Sequence, residues 1–65
     1  MDRAKRLIEE GQFTKAVETI DELIKKDPRN AMALVLRGQA NERIQGYDTA
    51  LKDFETALEI DPNLR

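Results

Sequence analysis

Three groups of carboxylates carry most of the chemical potential of this sequence: Glu9-Glu10, Asp21-Glu22, and the set Asp53, Glu55 and Glu59. Carboxylates do acid/base work or hold a hard cation when they converge in a cleft. These instead fall on the predicted solvent sides of helices, and no D-x-D-x-[DN]-G calcium loop occurs. The chain has no cysteine, histidine or serine. Thiolate and imidazole ligands and the usual nucleophile–base pairs are therefore excluded, and nothing is placed to activate the remaining threonines, lysines and acids. Gly11, Gly38 and Gly46 are scattered singly, as turn or helix-packing residues rather than a phosphate loop. The sequence predicts no enzyme, no cofactor and no metal site.

The basic residues are no more suggestive of a nucleic-acid partner. Arg3, Lys5 and Arg6 form the one tight cluster, and Glu9 and Glu10 follow at once. A nucleic-acid surface needs a basic stripe or interleaved aromatics. Cations and acids balance over residues 1–30, and the net charge of −2 comes from residues 31–65. That balance argues against nucleic acid and anionic membrane alike. No apolar run approaches the roughly 20 residues of a membrane span, and the opening MDRAKRLIEEG lacks the apolar core of a signal peptide. A cytoplasmic chain is the expectation. One domain, 1–65, is all this length supports. A chain so short buries only about 60% of its unfolded surface.

What positions these residues is a pattern stated twice. Ala16, Val17, Ile20, Leu23 and Ile24 are followed, 34 residues on, by Ala50, Leu51, Phe54, Ala57 and Leu58. The offsets i, i+1, i+4, i+7, i+8 trace one face of a helix. Asp27-Pro28 and Asp61-Pro62 mark the ends, because proline disfavours helical geometry in the residue before it. Thr14 and Asp48 are the expected N-caps, with Phe13 and Tyr47 wedging the entry. Between the repeats, Leu34 with Gly38, and Ala33, Leu36, Ala40 with Ile44, form two apolar stripes on one helix that must touch two neighbours. Ala4, Leu7 and Ile8 mark a short helix before the first glycine. The prediction is all-α: α1 over about 2–10, α2 over 14–26, α3 over 30–45 and α4 over 48–60. Tight connections make these two antiparallel hairpins. Asp21 with Lys25 and Glu22 with Lys26 are predicted surface pairs. Arg37 and Asp53 are predicted to form a partly buried salt bridge inside the second hairpin.

These residues resemble the tetratricopeptide repeat. In the second unit, 31–64, the matching positions are Leu34, Gly38, Tyr47, Ala50, Phe54, Ala57 and Pro62. In the first, 1–30, they are Ala4, Gly11, Phe13, Ala16, Ile20, Leu23 and Pro28, with the opening turn truncated. Asn41 stands where the family usually has tyrosine. The resemblance implies an α-solenoid with a right-handed superhelical twist, whose first helices line an inner surface that holds an extended peptide or a partner helix. Carried over residue by residue, that surface is Lys5, with Ile8 and Glu9, and Met32, Val35, Gln39, Glu42 and Arg43. The carboxylate clamp of some relatives does not carry over, since Lys5 and Leu36 stand where it uses asparagine.

A protein-interaction scaffold, a piece of a longer array, is therefore expected. The alternative is a self-assembling, or an engineered or excised, repeat pair whose main partner is another copy. With no helix beyond α4, Leu51, Leu58 and Ile60 are expected to be left open. They would then support a homodimer, a two-fold α4–α4 contact being preferred to head-to-tail stacking.

Overall fold

The computed structural model describes residues 2–63, and among them it contains four helices: α1 Asp2–Glu9, α2 Phe13–Lys26, α3 Ala31–Arg43 and α4 Tyr47–Ile60. Met1, Leu64 and Arg65, which the predicted domain of 1–65 includes, lie outside the described residues. The helices α2 and α4 end immediately before Asp27-Pro28 and Asp61-Pro62, as predicted. At both places the aspartate side chain then folds the chain over, accepting from Arg29 N–H at 3.2 Å and from Asn63 N–H at 3.1 Å. Asn30 caps α3, its Oδ1 accepting from Ala33 N–H at 3.1 Å.

The N-termini of α2 and α4 correct the sequence reading. Thr14 and Asp48 are not caps but lie inside the first turn. Gln12 and Gly46 occupy the cap positions with no side-chain bond. Their carbonyls already accept from Ala16 N–H at 3.0 Å and Ala50 N–H at 2.9 Å, so each helix starts a residue early.

The reason lies in the preceding turn. Gln12 N–H reaches back to Leu7 O at 2.8 Å and Gly11 N–H to Ile8 O at 3.0 Å. In the second hairpin Gly46 N–H reaches Asn41 O at 2.7 Å and Gln45 N–H reaches Glu42 O at 3.3 Å. These paired bonds close a Schellman turn, whose hinge residue takes a left-handed conformation. Gly11 has φ 80° and Gln45, its 34-residue equivalent, has φ 65°. The order Gly-Gln has become Gln-Gly, and the strained position has lost its glycine.

Packing follows the two-stripe reading of α3. Ala33 and Leu36 bury with Ala4 and the fully enclosed Ile20, while Ile8 and Ile24 close the edge of that cluster. On the other side Gly38 meets Phe54 so closely that a Cβ there would lie 2.6 Å from its ring. Among the described residues α3 touches all three other helices, whereas α4 packs on α3 alone. Ile44 departs from its predicted stripe. It caps the end of α3 and stays half exposed, because the helix stops at Arg43.

Candidate binding surface

The centre of the molecule is a charge network carried by α3. Arg37 donates from Nε to Asp53 Oδ2 at 2.9 Å and from Nη2 to Asp53 Oδ1 at 2.8 Å, a bidentate pair. Its Nη1 donates to Asp21 Oδ1 at 2.9 Å. Asn41 Nδ2 adds a longer contact to Asp53 Oδ2 at 3.4 Å. The Asp53 side chain is 6% exposed, Arg37 25% and Asp21 46%. The hydrogen bonds that Arg37 donates to Asp53 raise its pKa above the ordinary value; burial opposes this, and Asp21 adds to the rise. The guanidinium is thus a fixed charge that ties α2 to α4 across α3.

The predicted Arg37–Asp53 bridge is present, and Asp21 is the member that sequence reasoning missed. The sequence predicts Asp21 paired with Lys25 on its own helix. The one ion pair there joins Glu22 to Lys25 at 4.0 Å, with both side chains mostly exposed. Such a pair contributes about 0–1 kcal/mol. A signal was available: Asp21 precedes Arg37 by the same 16 residues by which Asp53 follows it. Asn41, read only as a departure from tyrosine, is buried and spends its amide on the same carboxylate.

Held between α2 and α4 in this way, α3 keeps a third side for solvent. Met32, Gln39, Glu42 and Arg43 are exposed and Val35 is half-buried. The order Met32, Val35, Gln39, Glu42 follows i, i+3, i+7, i+10, a single stripe along the helix. Lys5 and Glu9, the 34-residue equivalents of Gln39 and Arg43, are exposed on the neighbouring α1. Ile8 is half-buried, packed against the edge of the core cluster. A second, open groove lies on the α2 side, lined by Glu18, Asp21, Glu22, Ile24, Lys25, Pro28 and Arg37.

The residues expected to self-associate divide. Leu51 and Leu58 are 58% and 48% exposed, while Ile60 is half-buried at the end of α4. No cluster of three or more metal-ligating side chains occurs among the described residues, and no helix there is long and apolar enough to cross a membrane.

The helix order, the period of 34 and the matched glycine and aromatic positions are those of the repeat that the sequence resembles. A model of the tetratricopeptide repeat matches residues 1–64. Repeats of this type generally mediate protein–protein interaction and are generally non-catalytic scaffolds. Two stacked hairpins sharing one clamped helix, with that match running almost end to end, assign the fold: this chain belongs to the tetratricopeptide repeat family.

Proposed function

We propose that this chain is a protein-interaction scaffold that holds an extended peptide or a partner helix along the solvent side of α1 and α3. The observation that carries this is the stripe Met32, Val35, Gln39, Glu42, which the packing of α3 leaves unused. Met32 is 50% exposed in a helix whose leucines, Leu34 and Leu36, are buried. Farther along the same side lie charges of both signs, from Lys5 on α1 and from Glu42 and Arg43 at the other end of α3. An apolar anchor at one end of the stripe and mixed charge toward the other suits a short segment with one hydrophobic residue at one end and charged residues along the rest.

A random twelve-residue peptide library displayed on phage tests the reading with the chain as bait. Binders supporting it lose affinity with Met32→Lys and with Arg43→Glu, both surface changes that leave the helical circular dichroism intact. Binders indifferent to both variants would place recognition elsewhere and overturn it.

The competing reading is self-association through Leu51, Leu58 and Ile60, and the exposure of the two leucines is what favours it. Sedimentation equilibrium distinguishes the two: that reading requires a mass that rises with concentration and falls back with Leu58→Lys.

A further inference from the structure

The groove on the α2 side takes its wall from one edge of a helix. Glu18, Asp21, Glu22 and Lys25 follow i, i+3, i+4, i+7 and so share one side of α2. Ile24 adds apolar surface: it is half-buried at the edge of the core cluster and still lines the groove. Pro28, exposed just beyond the helix, extends that surface. Along α2 the groove thus runs from an acidic end at Glu18 to an apolar end at Pro28.

The charges in this groove are not balanced. Arg37 enters it from α3, but its Nε and Nη2 are both bonded to the buried carboxylate of Asp53. Asp21 therefore bonds a guanidinium whose charge is already matched. It accepts through Oδ1 from Nη1 at 2.9 Å, and among the described residues its Oδ2 has no hydrogen-bond partner. Glu22 has Lys25 at 4.0 Å, and Glu18 makes no ion pair among the described residues. Three carboxylates thus share one unspent cation, Lys25. Glu18 repels Asp21 at i+3 and Glu22 at i+4, and a cation from outside relieves both contacts. The bond from Arg37 also fixes Asp21 before any partner arrives, which lowers the ordering cost of binding.

We propose that this groove binds an extended segment of a partner protein that carries an arginine and a leucine two residues apart. The guanidinium bridges Glu18 and the free oxygen of Asp21, and the leucine lies on Ile24 and Pro28. Geometry sets the spacing. Residues two apart on an extended chain share a side and lie about 6.6 Å apart. Four residues of α2, from Asp21 to Lys25, rise about 6 Å, which carries the segment from the acidic end to the apolar one. Arginine suits the site better than lysine because its planar fork bonds two carboxylate oxygens at once. The groove shares no residue with the α1–α3 stripe and does not depend on peptide binding there.

The probe is the peptide acetyl-SRTLRTLS-amide, compared with acetyl-SRRTTLLS-amide, which has the same composition but no arginine and leucine two apart. Titrated into the 15N-labelled full chain, the first is expected to shift the amides of Glu18, Asp21, Glu22, Ile24 and Lys25 in a saturable way. The second binds several-fold more weakly. Glu18→Lys in the chain weakens binding of the first about tenfold through like-charge contact. The same peptide with both arginines replaced by glutamate binds that variant better than it binds the parent. Glu18 is exposed, so the variant keeps the helical circular dichroism of the parent. Met32→Lys leaves the titration unchanged. No saturable shift at millimolar peptide, equal affinity for the two peptides, or indifference to Glu18→Lys overturns the proposal. So do shifts confined to α1 and α3 that Met32→Lys abolishes, because the segment then sits on the stripe.

Discussion

At the scale of single residues, the molecule depends most on Arg37 and the carboxylate it satisfies. Asp53 is nearly enclosed, and its remaining contact without Arg37 is the long one from Asn41. Removing the arginine strands a buried acid, and removing one partner of a buried pair typically costs about 3–5 kcal/mol. Since the Arg37 side chain keeps a quarter of its surface in water, Arg37→Ala is expected to destabilise by about 2–4 kcal/mol in urea unfolding. Arg37→Lys recovers only part of this, because an ammonium cannot repeat the bidentate fork. The double variant with Asp53→Ala should lose clearly less than the sum of the single losses; additive losses would show that the pair does not interact. The pH sign is also fixed. A cation whose pKa is raised on folding contributes fully below its ordinary value and loses that contribution only as pH rises through the raised one. The Arg37 term is therefore constant around neutral pH. The Arg37–Asp53 half of this network was legible from the sequence, since both residues flank packing positions of facing helices. Asp21 was not, because a lysine four residues on supplied a sufficient local explanation.

Among the elements, periodicity made all four helices legible, and the proline-marked ends fell where the sequence put them. What hid the starts of α2 and α4 was turn chemistry. A Schellman turn runs each chain straight into the next helix, so the polar residues Thr14 and Asp48 arrive too late to cap. The same turn supplies a paired prediction. Gly11 occupies its left-handed hinge at φ 80° with nothing within 4 Å of a built Cβ, so any cost of a side chain there is backbone cost alone. A left-handed conformation costs a residue with a Cβ about 1–2 kcal/mol. Gly11→Ala is expected to destabilise by about 1 kcal/mol. Gln45→Gly should stabilise by about 0.5–1 kcal/mol, the relief of strain exceeding the added freedom of the unfolded chain. Thermal unfolding of both variants checks it, and a destabilised Gln45→Gly would contradict the hinge assignment. Gly38 works differently, through space rather than φ. Gly38→Ala gains about 1 kcal/mol of helix propensity but drives a methyl into the Phe54 ring. Overpacking of that kind costs about 1–3 kcal/mol. The variant is expected to be less stable by up to about 2 kcal/mol, and Phe54→Leu in the same chain should remove most of the loss.

For the whole molecule, connectivity decides where stability is concentrated. Repeat arrays hold together through nearest neighbours, each unit lending its face to the next. Among the described residues the two hairpins form one such interface, and α3 supplies one side of it while also forming half of the second hairpin. It touches α1, α2 and α4, and through Arg37 it joins two helices that do not otherwise meet. Helix α4 has a single neighbour and leaves Leu51 and Leu58 in water, each forgoing part of the roughly 1.5–3 kcal/mol that full burial gives. Helix α1 has eight residues and buries only Ala4 completely. Local opening follows the number of buried contacts an element must break. Native-state hydrogen exchange should therefore be slowest for amides in the middle of α3, from Leu36 to Ala40, and in α2 around Ile20. It should be fastest in α1 and in the last turn of α4. Arg37→Ala should lower protection in α2 and α4 as well as in α3, because it cuts both the tie to Asp21 across the interface and the tie to Asp53 within the second hairpin. Equal exchange along all four helices of the parent chain would mean that the two hairpins open as one unit, and that α3 has no special place in holding them.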